Sequence, residues 1–169
     1  MTTFEILQTI VFLFLTGGVI WLAAELKGMK RELLAKAGIN QQNIQLQLQA
    51  FERLTLFAER CGLKNLVGRV PPDGLNAASL QETFLQTLKT EYEYNISQQI
   101  YVSPEVWRAV SNLKEQNIYI INQVAAALPS DAPGMQLSKS LLELLMINEK
   151  ADLSSVVLDA LQFEAKKIL

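Results

Sequence analysis

Apolar and polar positions follow a helical period along most of the chain, after an opening stretch where polar positions are nearly absent. Residues 6–24 read ILQTIVFLFLTGGVIWLAA, 19 positions without a charge in which Gln8, Thr9 and Thr16 are the clearly polar side chains. At ~1.5 Å of rise per helical residue, that length covers the roughly 30 Å hydrocarbon core of a bilayer. A cleaved signal peptide and a buried soluble helix are the alternatives. A signal peptide begins with a basic region and has a shorter apolar core, whereas Glu5 is the one charged side chain before Ile6. The stretch therefore reads as a transmembrane anchor over residues 1–26.

Further along, Ile44, Leu48, Phe51, Leu54 and Ala58, flanked by Leu46, Ala50, Phe57 and Cys61, predict a helix over 45–61 that stops at Gly62. The alternation of Ile44, Leu46 and Leu48 with Gln leaves its first turn open to an extended form. Residues 62–78 hold three of the eight Gly and two of the five Pro, so they read as the main connection, with a turn at Pro72-Asp73-Gly74. Ser79 and Glu82 have the spacing of a capping box and predict a helix over 80–101, its apolar positions Leu80, Phe84, Leu88, Tyr92, Ile96 and Ile100 each four apart. Ser103 then caps a helix with Pro104 in its first turn, burying Val106, Val110, Leu113, Asn117, Ile121, Val124 and Leu128 and ending before Pro129. From Met135 to Leu169 the period is helical again, with a polar break near 148–152 that divides it in two.

No strand pattern remains, so the expected class is all-α: one N-terminal transmembrane helix followed by a four- to five-helix bundle. The expected organisation is an anchor at 1–26, a basic juxtamembrane neck at 27–44 and a helical cytoplasmic domain at 45–169.

Charge adds an orientation. Lys27, Lys30, Arg31 and Lys36 follow the apolar stretch and no Lys or Arg precedes it, which by the positive-inside bias puts the N-terminus outside and the remainder in the cytoplasm. Residues 27–69 carry eight basic and three acidic groups, while residues 70–165 carry five basic and twelve acidic. A basic neck beside anionic headgroups and an acidic domain hanging away from them fit that division. Within the stretch, Thr9, Thr16 and Ala23 recur every seven residues, with Gly17 and Ala24 beside them, and such small residues allow two spans to pack closely.

Composition removes several chemistries. The chain has no His and one Cys among 169 residues, so it cannot build a Ser-His-Asp triad, a Cys-His pair, a His-bearing zinc site or a CxxC pair. A disulfide could form only between chains, through Cys61. Ser111 and Lys114 make an S-x-x-K without the companion motifs of penicillin-binding enzymes, and read as two exposed side chains one turn apart. The acidic pairs Glu91 with Glu93, and Glu149 with Asp152, read as solvated charges. No catalytic, cofactor or metal residue is expected, and no small-molecule substrate.

The most unusual stretch is EYEYNISQQIYVS, free of charge between Glu93 and Glu105. It crowds Tyr92, Tyr94, Asn95, Gln98, Gln99 and Tyr101 into fewer than about three helical turns. Lacking cations, it does not suit a phosphate backbone, so no nucleic-acid partner is expected. Its phenols and amides suit either a hydrogen-bonded network in the core or a polar-aromatic patch that binds a protein partner. Asn95-Ile96-Ser97 matches a glycosylation acceptor, incidental in a cytoplasmic domain.

The runs QLQAFERLTLFAER at 47–60, NLVGRV at 65–70 and EYEYNISQQIYVSPEVW at 91–107, with ISQQIYVS the most specific, resemble a bacterial family of small, N-terminally anchored membrane proteins of unknown function. The resemblance implies a single-span protein of the bacterial inner membrane and no catalysis. The expected role is a non-enzymatic scaffold or tether that binds the bilayer and a protein partner or another copy of itself. The alternative is an accessory subunit of a larger membrane complex whose span makes the specific contact.

Overall fold

The helical period visible from Ile44 onward extends backward without interruption. The computed structural model describes residues 3–129, 131–148 and 152–168, except for the side chains of residues 3–11, 13 and 20. Helix α1 runs Thr3–Cys61, followed by α2 (Leu63–Arg69), α3 (Ala77–Asn95), a 3₁₀ turn (Ile96–Ile100), α4 (Pro104–Ala126), α5 (Gly134–Ile147) and α6 (Ser154–Ile168). The described residues contain no strand, only an isolated antiparallel bridge between Asn76 and Pro133. The chain is all-α, and it divides into two compact units, Met1–Gln45 and Leu46–Leu169.

Helix α1 takes in what the sequence divides into anchor, neck and a helix starting near residue 45. Gly28 and Gly38 each cost about 1 kcal/mol relative to Ala, too little to stop a helix otherwise built of Leu, Ala, Lys, Glu and Gln. No Pro occurs before Pro71. The Gln-rich turn at 40–49 is helical rather than extended for the same reason. Among the described residues, no helix is long and apolar enough to cross a membrane. The expected span at 6–24 lies in part outside the described residues, because the side chains of 6–11, 13 and 20 belong to those left out. From Trp21 to Asn43 every side chain of α1 is exposed.

In the second unit, α1 buries Ala50, Phe51, Leu54, Phe57, Ala58 and Cys61, a face with i, i+3, i+4, i+7 spacing. It meets Leu80, Phe84 and Leu88 of α3, Val106, Val110 and Leu113 of α4, Leu137 and Leu141 of α5, and Val157 and Leu161 of α6 in one core. Helix α3 packs on α4 and α5, α4 on α5 and α6, and α2 on α5.

Helix α2 is a departure from the four or five helices expected. Its sequence LKNLVGR lies inside what reads as a Gly- and Pro-rich connection, yet Leu63, Leu66 and Val67 have helical spacing and are buried. Helix α3 begins before the Ser79 box. Asn76 is the N-cap, its Oδ1 accepting from the Ser79 backbone N–H at 2.8 Å. Helix α4 keeps its expected cap, the Ser103 Oγ accepting from Val106 N–H at 3.2 Å, and α5 and α6 flank the expected break.

The turn before α3 and the loop before α5 hold each other. Gly74, at φ +74°, lets Leu75 N–H reach Pro72 O at 3.2 Å. Ala77 N–H then donates to Ala132 O at 2.7 Å and Gly134 N–H to Leu75 O at 2.8 Å. This approach leaves no room for a side chain: a Cβ on Gly134 would stand 2.9 Å from Leu75 O and 3.2 Å from Pro72 O. Gly134→Ala is therefore expected to destabilise the fold by about 1–3 kcal/mol. Thermal unfolding should detect a midpoint lowered by several degrees, whereas Gly68→Ala, with nothing within 4 Å, should be neutral or stabilising. Equal behaviour of the two variants would refute the steric argument.

Candidate functional site

The neutral segment after Glu93 is organised by a change of period. Through Asn95 the chain turns at about 3.6 residues, and through the following 3₁₀ turn at about 3.0, so that residues three apart eclipse. Asn95 and Gln98 therefore point inward and are buried, with Tyr101 half-buried on the same three-residue step. The expected four-residue apolar stripe is broken here: Ile96 and Ile100 face outward, Ile100 at 72% exposure. Asn95 Nδ2 donates to Glu91 O at 2.8 Å and Gln98 Nε2 to Ser97 Oγ at 3.0 Å.

Tyr92 is held inside. Its ring lies edge-on to Phe57 of α1 at 6.1 Å and tilted over Trp107 of α4 at 5.3 Å. Its hydroxyl is 3.0 Å from Ser111 Oγ, which in turn donates to Trp107 O at 3.0 Å. A serine has one hydroxyl proton, so Tyr92 is the donor to Ser111. Lys114 Nζ sits 4.3 Å from the Tyr92 ring centroid and 2.7 Å from Glu115 Oε1. Ser111 and Lys114 are thus half-buried partners of one tyrosine rather than two exposed side chains.

Glu91 is likewise not a solvated charge. Its Oε1 accepts from Arg60 Nε at 2.8 Å and from Arg60 Nη2, with Arg69 Nη1 at 3.8 Å. Those hydrogen bonds, then the charge of Glu91, raise the pKa of Arg60. Arg69 Nη2 closes the cluster on Arg60 O at 3.1 Å, joining the ends of α1 and α2 to α3. Of the other acidic pair, Glu149 lies outside the described residues, while Asp152 Oδ1 accepts from Ser154 N–H at 2.9 Å at the start of α6.

The outward side of the segment consists of Tyr94, Ile96, Gln99 and Ile100, all exposed. Arg53 of α1 steadies it, donating from Nη2 to Tyr94 O at 2.9 Å and placing its guanidinium 4.8 Å from the Tyr94 ring centroid. On one side Tyr94 borders an open groove of about 870 Å³ along α3, lined by Ser79, Thr83, Gln86, Thr87 and Thr90 together with the carboxylates Glu82 and Glu91. On the other, Ile100 borders a smaller one of about 390 Å³ with Phe51, Tyr101, Glu164 and Lys167, where Ser103 Oγ donates to Glu164 Oε1 at 2.7 Å. The six expected residues therefore divide: Tyr92, Asn95 and Gln98 build the support, Tyr94 and Gln99 the surface, and Tyr101 lies between. The sequence pattern places Ile96 and Ile100 in the buried stripe of α3 rather than on this surface, and gives Arg53 no role. The i, i+3 amide pair Asn95/Gln98 ahead of Ser103-Pro104 is the signal that could have found them.

The remaining candidates lie on α1. Lys27, Lys30 and Arg31 share one exposed face and Lys36, nine residues beyond the first, falls on the opposite one. Thr16, Gly17, Ala23 and Ala24 lie on the same helix, with Thr16 Oγ1 donating to Phe12 O at 2.9 Å; Thr9 lies outside the described side chains. No group of three or more Cys, Asp or Glu able to hold a metal occurs among the described residues.

Cys61 closes α1 and is fully buried, which removes it from disulfide exchange between chains. Burial, reinforced by the Glu91 charge, pushes its thiol from an ordinary 9.0 up to about 12. The thiol is therefore held protonated at neutral and mildly alkaline pH. At pH 8 its alkylation by a maleimide should be roughly a thousandfold slower in the folded chain than in urea, the ratio of thiolate fractions implied by 12 against 9.0. Comparable rates in the two states would show that the end of α1 is open.

No curated protein and no solved structure matches the chain. A family model matches residues 1–168, and on that match the chain belongs to the family of unknown function DUF7935.

Proposed function

We propose that the protein is a non-enzymatic scaffold or tether, held at a bacterial inner membrane by one N-terminal span and binding another protein through its unit Leu46–Leu169. The observation that carries the binding role is the outward surface of the 3₁₀ turn. Tyr94 and Ile100 stand 73% and 72% exposed on a backbone that Asn95 ties to Glu91 O and Arg53 ties to α1, above the buried Gln98. An exposed aromatic and aliphatic patch with Arg53 stacked beside it has the composition of an interface, where aromatic residues and Arg are enriched, and an anchored backbone loses little ordering entropy on binding.

The membrane half of the proposal rests on the charge-free residues 6–24 and on the Lys27, Lys30, Arg31 and Lys36 that follow them. In this reading the N-terminus is outside, the helical unit is cytoplasmic, and each headgroup-proximal cation contributes about 1 kcal/mol. No cofactor, nucleic acid or small-molecule substrate enters it. A second reading makes the chain an accessory subunit whose span supplies the specific contact, favoured by the small-residue face of Thr9, Thr16, Gly17, Ala23 and Ala24.

A detergent pull-down with the tagged full-length chain should recover a stoichiometric protein. Tyr94→Ala combined with Ile100→Glu should reduce that recovery at least tenfold while leaving the melting midpoint almost unchanged, since exposed substitutions cost within about 0.5 kcal/mol. Unchanged recovery, or a chain that carries nothing, refutes the surface. Replacing residues 6–24 with an unrelated span should leave binding intact; loss would favour the accessory-subunit reading. A reporter active only in the periplasm, fused after Leu169, should stay silent.

A further inference from the structure

The first unit presents an unpartnered apolar seam. Along α1, Phe12, Leu15, Val19, Leu22, Leu26, Met29 and Leu33 are separated by alternating steps of three and four residues, and each is 53–67% exposed. That is a heptad repeat with Phe12, Val19, Leu26 and Leu33 at a and Leu15, Leu22, Met29 at d. It continues in register through Lys36, Asn40 and Asn43, where the seam becomes polar.

We infer that residues 12–43 pair with the same segment of a second copy as a parallel two-stranded coiled coil. Charge complementarity over residues 25–30 favours a second copy in the parallel direction, while Lys36 at d meets its own copy only at the polar end of the seam. Glu25 and Glu32 occupy g, and Lys30 occupies e, five residues after Glu25. A parallel pair brings g of one helix to the following e of the other, so Glu25 meets Lys30 of the second copy twice over. An antiparallel pair brings g to g and e to e, opposing acid to acid and Lys30 to Lys30. Asn40 at an a position fits this arrangement, because a buried Asn in that place fixes register and favours two strands.

Leu26, Met29 and Leu33 lie beyond the charge-free stretch and among charged neighbours, so the seam does not rest on the membrane reading. Single cysteines placed in the full-length chain test it, with the wild-type chain, whose Cys61 is buried, as control. Leu26→Cys and Lys36→Cys are ten residues, roughly 15 Å, apart along one seam. Under mild oxidation each should form a dimer linked at its own position, at least tenfold more than Arg31→Cys on the opposite face. Antiparallel helices meet their own residues at one level only, so linkage at one of the two positions alone overturns the parallel arrangement. Equal linkage at Arg31→Cys overturns the seam. By sedimentation, the wild type should have twice the chain mass and Leu26→Glu with Leu33→Glu once the chain mass; a monomeric wild type, or a dimer surviving both substitutions, overturns the pairing. Insensitivity of membrane extraction to these variants separates this result from the anchoring proposal.

Discussion

The buried end of α1 is the constraint on which the second unit depends. A helix leaves its last carbonyls without intrahelical partners, and one sealed in a core costs about 1–3 kcal/mol if nothing answers it. Cys61 is such a position, fully buried, and Asn117 of α4 answers it with Nδ2 at 2.7 Å from Cys61 O. That bond fixes the register of α4 against α1. With Asn117 placed, Lys114, Ser111 and Trp107 fall in turn beside Tyr92 of α3, and Ser103 at the start of α4 reaches Glu164 of α6. From the same last turn of α1, Arg60 reaches Glu91 one turn before Asn95. Among the described residues, nothing donates a hydrogen bond to Asn117 Oδ1.

The 3₁₀ turn is the less economical part of this arrangement. Burying Asn95 and Gln98 while exposing Ile96 and Ile100 runs against the transfer free energy of all four side chains. Pro104 contributes to the geometry, since the residue before a proline is pushed to extended backbone and Ser103 stands at φ −65°, ψ 154°. The chain must leave α3, tighten and reverse within the residues before that point. Asn95 makes the tightening tolerable by returning its amide to Glu91 O, one turn back. The result is apolar area turned outward on a backbone tied to Glu91 O and to α1.

Much of the second unit was legible from apolar spacing: the all-α class, the face of α1 from Ala50 to Cys61, the cap and face of α4, and the break between α5 and α6. Helix α2 was hidden because seven residues flanked by glycine and proline show one i, i+3, i+4 triplet and no more. The start of α3 was misplaced because Ser79 and Glu82 mimic a capping box while Asn76, an equally good cap, directly follows the tight turn that Gly74 permits. At the candidate site the residue types were legible and their faces were not. A stripe counted in fours cannot show where the period becomes three, and Ser111 and Lys114 look solvent-facing until Tyr92 is seen to fill the space between α3 and α4.

Residues 6–33 carry two different kinds of information. A span is specified by composition, since the bilayer asks only that enough consecutive residues be apolar. A seam is specified by period. The composition requirement ends at Ala24, yet the three-four spacing persists through Leu26, Met29 and Leu33, among Glu25, Lys27, Lys30, Arg31 and Glu32. Charged residues there indicate contact with water, and in water each of those apolar side chains gains about 1.5–3 kcal/mol from full burial. In proteins a helix draws most of its stability from packing an apolar face rather than from propensity. Pairing along the seam would bury that face and stabilise the helix with the same contacts, which composition alone would not have required.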